Sequence, residues 1–258
     1  MIIYDLVNLF NENGVNKGDI ICVHSDITSF GIPVSLKEQI KKKGINFLMD
    51  SYIDTFKAVV GKEGLILMPT FTYSACHGEI FDVENSKSTV GALTEYFRKQ
   101  KDVKRSQHPI FSFAAWGQDA ENFLKFESFD CYGEKSFFGK LYDLNITYVL
   151  FGVDIQHGAT FVYYSEEKAK VYYRYYKDFL GIIKKEDNQF KTTVRYFVRD
   201  LDLKYEDYWY DVEKKALERG FAKIFEYSSG KITITKSQDI DQLIQEELKI
   251  NKAFLIKI

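Results

Sequence analysis

The sequence predicts an α/β protein with a mixed central sheet sandwiched by helices, and three observations support this prediction. Helix-type and strand-type hydrophobic patterns alternate over the first two thirds of the 258 residues. The strand-type segments are short and apolar with little alternation, which is typical of a sheet buried on both faces. No linker rich in Pro, Gly or Ser divides the chain. We therefore expect a single domain over 1–258.

The first two thirds of the chain begin with a helix over 2–12. Its apolar residues Leu6, Val7 and Phe10 stand at helical spacing, and the pattern stops at Gly14. The elements predicted next are a strand at 20–23, a helix from 47 to 61, a strand at 65–68, a helix near 91–100, a strand near 110–115, a helix near 119–126, a helix near 137–144 and a strand at 147–153.

The pattern changes after about residue 170. Two apolar runs, 179–183 and 190–198, flank the polar turn 186–189 and predict a β-hairpin. We expect this hairpin to form a sub-lobe near 179–199, within a smaller β-rich lobe drawn from 179–235. The remaining elements predicted are a helix near 205–218, strands near 221–227 and 231–235, and a final helix striped by Ile240, Leu243, Ile244 and Leu248.

The composition excludes several functional classes. There are 35 Lys+Arg against 37 Asp+Glu, a net charge of −2, so the chain lacks the basic balance of a general nucleic-acid binder. The sequence contains no run of about 18 apolar residues, so it predicts no membrane span. The first residues lack the basic region of a signal peptide, so we expect a cytoplasmic protein. Cys22, Cys76 and Cys131 lie far apart without a CxxC pair, which favours reduced thiols and no metal site.

Common nucleotide and hydrolase motifs are missing. The segment 133–141 has two glycines and a lysine like a P-loop, but one residue too many separates the glycines and Leu141 stands where Ser or Thr would hold magnesium. The chain also has no GxGxxG, GxSxG or HExxH motif.

Polar, hydroxyl-rich segments follow three of the predicted strands. They are 23–31, 67–73 and 150–167. Because loops beyond the strand ends of an open α/β sheet converge on one crevice, we expect these segments to line one site. Hydroxyls and backbone amides there suit a ligand that carries phosphates or amides.

Together with 88–98 and 105–117, these segments resemble the antibiotic N-acetyltransferase family, typified by aminoglycoside 3-N-acetyltransferases. The resemblance covers roughly 15–180. The matching motifs are His24–Gly31, Met68–Thr72, Gly91–Arg98, Arg105–Gly117 and Thr160–Glu166. The resemblance implies an α/β fold distinct from the GNAT fold. It also implies acetyl-CoA as co-substrate and a primary amine on a sugar or aminocyclitol as the small-molecule acceptor.

The resemblance also implies roles for individual residues. Thr70 and Thr72 would line the acceptor pocket. For His108, which precedes Pro109, a structural hydrogen bond to the backbone is the alternative to a ligand contact. The residues that would contact the pantetheine or the phosphates of CoA are His24, Ser25, Ser29, Arg105, Ser106 and His108.

The main departure from the family pattern is at Tyr163, which stands where the family has its catalytic histidine. Tyrosine has an ordinary pKa of about 10 and is a poor base at pH 7. Glu166, at the acidic position of the motif, would orient or stabilise a charge near residue 163. Three accounts stay open: His157 is the base, the acceptor amine loses its proton unaided, or the protein binds CoA without catalysis. We expect a weak or altered acyltransferase.

The acceptor is not specified by any single motif. Aminoglycosides are polycations, and 1–180 contains no dense acidic loop, so we favour an amino sugar from surface-polysaccharide synthesis, including a nucleotide-linked one, over an antibiotic-resistance substrate. A homodimer is compatible with the sequence, which encodes no oligomeric state visibly.

Overall fold

The structure of the protein, a computed structural model, describes residues 1–258. Its strands are β1 (Ile20–Ser25), β2 (Leu65–Pro69), β3 (Ile80–Asp82), β4 (Lys104–Arg105), β5 (Phe113–Gly117), β6 (Thr147–Phe151), β7 (Arg174–Lys185), β8 (Asn188–Arg199), β9 (Glu206–Asp207), β10 (Ala222–Tyr227), β11 (Gly230–Lys236) and β12 (Ile256–Lys257). Its helices are α1 (Tyr4–Glu12), α2 (Lys37–Lys43), α3 (Asn46–Val60), α4 (Ala92–Phe97), α5 (Ala120–Phe123), α6 (Phe137–Asp143), α7 (Ile155–Gly158), α8 (Val162–Ala169), α9 (Tyr210–Glu218) and α10 (Ser237–Ile250).

The central sheet has seven strands in the order β10-β11-β6-β1-β2-β5-β4. Its middle strands β6, β1 and β2 run parallel, with Ser25 of β1 opposite Phe151 of β6 and Cys22 opposite Leu67 of β2. The outer strands pair antiparallel on both sides. The C-terminal ends of the three middle strands therefore meet at one edge of the sheet.

Helices cover both faces of this sheet, because alternate residues of the middle strands enter two separate apolar cores. In β6, Val149 and Phe151 pack in one core, which includes residues of α1, α3 and α4. Leu150 packs in the other, which includes residues of α6, α8, α9 and α10. This two-sided burial is the physical reason that the strands are apolar throughout. The predicted mixed α/β sandwich is confirmed.

The predicted hairpin is present and longer than expected, since β7 and β8 have twelve residues each and join at Glu186, which has φ +53°. With β3 it forms a separate three-stranded sheet. By contrast, β10 and β11 are the edge of the central sheet. The expected β-rich lobe over 179–235 is therefore limited to the hairpin sheet.

Two other local predictions differ from the structure. The helix expected from 205 begins at Tyr210, because residues 206–207 pair with β12 as a short strand. The strand expected near 110–115 begins only at Phe113, since His108 ties Ile110 and Phe111 into a turn. None of the helices combines the length and the apolar character that a bilayer crossing needs.

Candidate active site

A cavity of about 480 Å³ lies where β1, β2 and β6 end. Its walls come from four of the five motif segments found in the sequence. They are His24–Thr28 at the end of β1, Pro69 and Phe71 at the end of β2, Val90–Ala92 at the start of α4, and the stretch after β6 that contains His157 and Thr160. The expected convergence of strand-terminal loops is therefore present in the structure.

Two of the residues expected to bind CoA, His24 and Ser25, line this cavity. Ser25 Oγ is buried and has no hydrogen-bond partner within the protein, so its hydrogen-bonding capacity is unused. The His24 ring is buried beside the backbone of Gly158, and burial lowers the pKa of His24 to about 4. His24 is therefore a neutral imidazole at pH 7.

Gly91 explains how the wall formed by Val90–Ala92 lies so close to the end of β1. Its φ of +68° is a left-handed conformation that glycine adopts without strain. A Cβ there would lie 3.3 Å from the carbonyl oxygen of Ser25. The glycine thus lets the start of α4 pack against the end of β1 while both border the cavity.

Three other predicted residues hold the loops without lining the cavity. The Ser29 hydroxyl donates to the carbonyl of Gly152 at 2.6 Å and so ties the loop after β1 to the loop after β6. Thr70 Oγ1 lies 3.0 Å from Ser112 Oγ, and the Thr72 hydroxyl faces the carbonyl of Pro109 at 3.4 Å. Their neighbours Pro69 and Phe71 face the cavity instead, as expected for alternating side chains in extended backbone.

The segment 105–108 is also structural in this fold. The Arg105 guanidinium donates to the carbonyl oxygens of Thr70 at 2.6 Å and Ser86 at 2.6 Å. Ser106 Oγ accepts from a backbone N–H of β5 at 2.9 Å. His108 Nδ1 accepts from two backbone N–H groups of the following turn, which is the structural alternative considered for this residue. The structure does not bring these three side chains to the cavity.

Tyr163 lies on α8 and faces the segment that leads into α9. Its hydroxyl donates to Asp207 Oδ2 at 3.1 Å, and its ring packs edge-on to Trp209 with centroids 5.0 Å apart. The Arg174 guanidinium stands 4.3 Å from the ring centroid. Burial, reinforced by the charge of Asp207, raises the pKa of Tyr163 well above its ordinary value. The residue is a neutral phenol that donates a hydrogen bond.

Glu166, one turn further along α8, is fully buried. Its Oε2 lies 2.7 Å from Arg174 Nε, and its Oε1 accepts from the Tyr173 hydroxyl at 3.0 Å. Burial raises the pKa of Glu166 to about 7, although the Arg174 charge acts in the opposite direction. Glu166 therefore reaches Tyr163 through Arg174 and makes no direct hydrogen bond to it.

His157 lies on α7 and lines the cavity. Its Nδ1 is 2.6 Å from Asp154 Oδ1, and the same oxygen accepts from the His157 backbone N–H at 2.9 Å. Asp154 was not expected from the sequence, although an Asp directly before a helix is a recognisable N-cap signal. Asp207 was not expected either, because it lies inside the helix predicted near 205–218.

No group of three or more His, Cys, Asp or Glu side chains is arranged to hold a metal ion.

Comparison with known proteins agrees with the motifs. The family model described as aminoglycoside 3-N-acetyltransferase matches residues 22–249. The SPbeta prophage-derived aminoglycoside N(3')-acetyltransferase-like protein YokD of Bacillus subtilis (strain 168) is 28% identical over 171 residues, which are 57% of this chain and 58% of that protein. Aminoglycoside N(3)-acetyltransferase IV of Salmonella sp is 31% identical over 128 residues, which are 48% of this chain and 41% of that protein.

These alignments thus span about half the length of the curated relatives. Among solved structures, AAC-IIIb in a binary complex with CoASH superposes with a TM-score of 0.78 at 20% identity, covering 97% of each chain. That likeness shows a shared fold over nearly the whole chain. With the fold, the ordered motifs and the match over most of its residues in agreement, the chain belongs to the aminoglycoside 3-N-acetyltransferase family.

Proposed function

We propose that the protein transfers the acetyl group of acetyl-CoA to a primary amine of an amino sugar, including a nucleotide-linked one, or of an aminoglycoside. The observation that carries the proposal is the cavity at the ends of β1, β2 and β6, where the family's motifs meet. Its volume falls within the range of small-molecule sites, roughly 300–1,000 Å³.

The chemistry of the cavity walls suits the pantetheine arm of CoA. The unpartnered Ser25 hydroxyl can bond to an amide of the arm, and Ile27, Phe71 and Val153 offer apolar contact to its methylene groups. No lysine or arginine lines the cavity. The phosphates of CoA would therefore lie outside it, and the thioester end would lie inside.

In this reaction the acceptor nitrogen attacks the thioester carbonyl carbon, a C–N bond forms, and the C–S bond breaks to release CoA. Asp207 accepts a hydrogen bond from the Tyr163 hydroxyl. The Asp207 side chain is 22% exposed, so it can pair with a cationic amino group of the acceptor.

The alternative function is CoA binding with impaired catalysis. It is favoured by the state of Tyr163, a neutral phenol at the position of the family's catalytic histidine. Loss of a general base typically costs about 10²–10⁴ in rate. Such a loss would leave slow transfer or none.

Calorimetry and a turnover assay distinguish these functions. We expect acetyl-CoA to bind, and Ala92→Trp, which places an indole in the cavity wall, to weaken binding at least tenfold. Leu144→Trp adds an indole at an exposed position outside the cavity and should leave binding unchanged. Acetyl-CoA consumption with nucleotide-linked amino sugars and with aminoglycosides would identify the acceptor class. Binding of acetyl-CoA without turnover would support the alternative function, CoA binding with impaired catalysis. Absence of acetyl-CoA binding would contradict both functions.

A further inference from the structure

We infer that His157, oriented by Asp154, takes the proton from the acceptor amine, in place of the histidine that Tyr163 replaces. This inference rests on the proposed function, because it assigns a base to that reaction. It concerns α7, which lies one element before the helix where the family motif places its histidine.

The motif residues on α8 are not available for this role. The Tyr163 hydroxyl donates to Asp207, and the Glu166 carboxylate is engaged by Arg174 and Tyr173. Neither side chain lines the cavity. A base for the acceptor must therefore come from another element.

The four histidines can be compared directly. His77 is exposed and lies outside the cavity, and His108 uses Nδ1 to accept from backbone N–H groups. His24 lines the cavity but is 4% exposed, with its Nε2 3.7 Å from Cys22 Sγ. His157 is the histidine that both borders the cavity and has a substantially exposed side chain, 63%.

The contact with Asp154 fixes which nitrogen of His157 can act. An ionised carboxylate only accepts hydrogen bonds, so Nδ1, 2.6 Å away, carries the hydrogen. Nε2 then holds a free lone pair, which is the form required of a general base. Because Asp154 Oδ1 also accepts from the His157 backbone N–H, one oxygen fixes both the ring and its helix.

The segment 207–210, which contains Asp207, lies next to this histidine. The Gln156 side chain donates to the carbonyl of Asp207, and Tyr210 packs edge-on to the His157 ring with centroids 6.1 Å apart. An acceptor amine paired with Asp207 would therefore approach α7, on which His157 lies.

The charged and titratable groups around His157 come from several elements. Asp154 lies on its own element, Tyr210 and Glu213 face α7 from α9, and His24 and Asp26 border the same cavity. Asp154 is the group in hydrogen-bond contact with the ring. Its negative charge favours the imidazolium that forms when the amine gives up its proton.

The proposed step balances as follows. The amine nitrogen bonds to the thioester carbonyl carbon while its proton passes to His157 Nε2, and the C–S bond breaks. The imidazolium then returns this proton to the departing thiolate. The products are the N-acetylated acceptor, CoA as its thiol and neutral His157.

The test is His157→Gln, with His77→Gln as the matched control. We expect His157→Gln to lower kcat by about 10²–10⁴ and to change the Kd of acetyl-CoA by less than about threefold. The control should match the wild type. A His157→Gln variant that retains wild-type kcat would overturn the inference.

Asp154→Asn tests the positioning residue, because Asn still caps α7 but removes the carboxylate charge. We expect a smaller loss of kcat than in His157→Gln, with the Kd of acetyl-CoA unchanged. Nitrogen-15 NMR of the imidazole in the free wild-type protein should show hydrogen on Nδ1, and hydrogen on Nε2 would overturn the assignment. A wild type that acetylates no amine contradicts the proposed function as well, whereas an active His157→Gln contradicts only this inference.

Discussion

Arg174→Met is expected to destabilise the fold strongly, and more so at alkaline pH. The Arg174 side chain is 3% exposed and compensates the Glu166 carboxylate, which is 0% exposed. Removing one partner of a buried ion pair typically costs about 3–5 kcal/mol, because the remaining charge is left without compensation. Methionine keeps much of the volume, so loss of packing contributes little.

The pH dependence follows from Glu166. Its pKa in the fold, about 7, lies above its ordinary 4.5, so the protonated carboxyl stabilises the fold. This contribution is complete below about pH 4.5 and is lost as pH rises to about 7. Without Arg174 the pKa rises further, so the variant continues to lose stability above pH 7. The difference from wild type should grow there by up to about 1.4 kcal/mol per pH unit.

Urea unfolding followed by circular dichroism at pH 6 and pH 8.5 measures both effects. The control is Arg195→Met. The side chains of Arg195 and its partner Asp178 are each more than half exposed, so this substitution should lower the free energy of unfolding by about 0–1 kcal/mol. Adding Glu166→Gln to Arg174→Met should recover part of the loss. A cost below about 1 kcal/mol at pH 8.5, or an equal cost at both pH values, would refute this reasoning.

Three further outcomes are expected. Tyr163→His places an imidazole beside Asp207, outside the cavity, and should leave acetyl transfer, measured by CoA release, within about threefold of the wild type; a gain of tenfold or more would assign the base to position 163 and contradict the role of His157. Ser25→Val removes the free hydroxyl from the cavity and should weaken acetyl-CoA binding about three- to tenfold by calorimetry, and unchanged binding would exclude a contact there. Ser29→Ala breaks the link to Gly152 and should lower the free energy of unfolding by about 1 kcal/mol, with a neutral effect arguing against that hydrogen bond.

The central sheet could be predicted because burial on both faces leaves a clear mark on the sequence. Leu65–Pro69 and Thr147–Phe151 are fully buried, and their apolar runs stop where polar loops begin. The cavity follows from the same pattern, since parallel neighbours end at one edge. Family motifs added the acetyltransferase assignment, which hydrophobic patterns alone do not contain.

The roles of polar motif residues were harder to predict. Arg105 is a typical phosphate ligand by residue type, yet its guanidinium is used by the carbonyl groups of neighbouring loops. Ser106 and His108 likewise bond to backbone. Residue type and spacing do not reveal whether a donor faces a ligand or its own chain, because that depends on how distant loops pack.

The acidic partners depend on contacts between distant parts of the chain. Asp207 is 44 residues from Tyr163 in the sequence, and its position is set by the pairing of β9 with β12. Neither strand has more than two residues, which is too short for a periodic pattern to detect. Asp207, the hydrogen-bond partner of Tyr163, was therefore visible only in the structure.

A crystal structure of the complex with acetyl-CoA would show whether this cavity holds the pantetheine arm. We expect the pantetheine arm to lie in the cavity along Ser25 and Phe71, with the thioester carbon in the part bordered by His157 and Thr160. Acetyl-CoA bound on a different surface, with this cavity filled only by solvent, would contradict it.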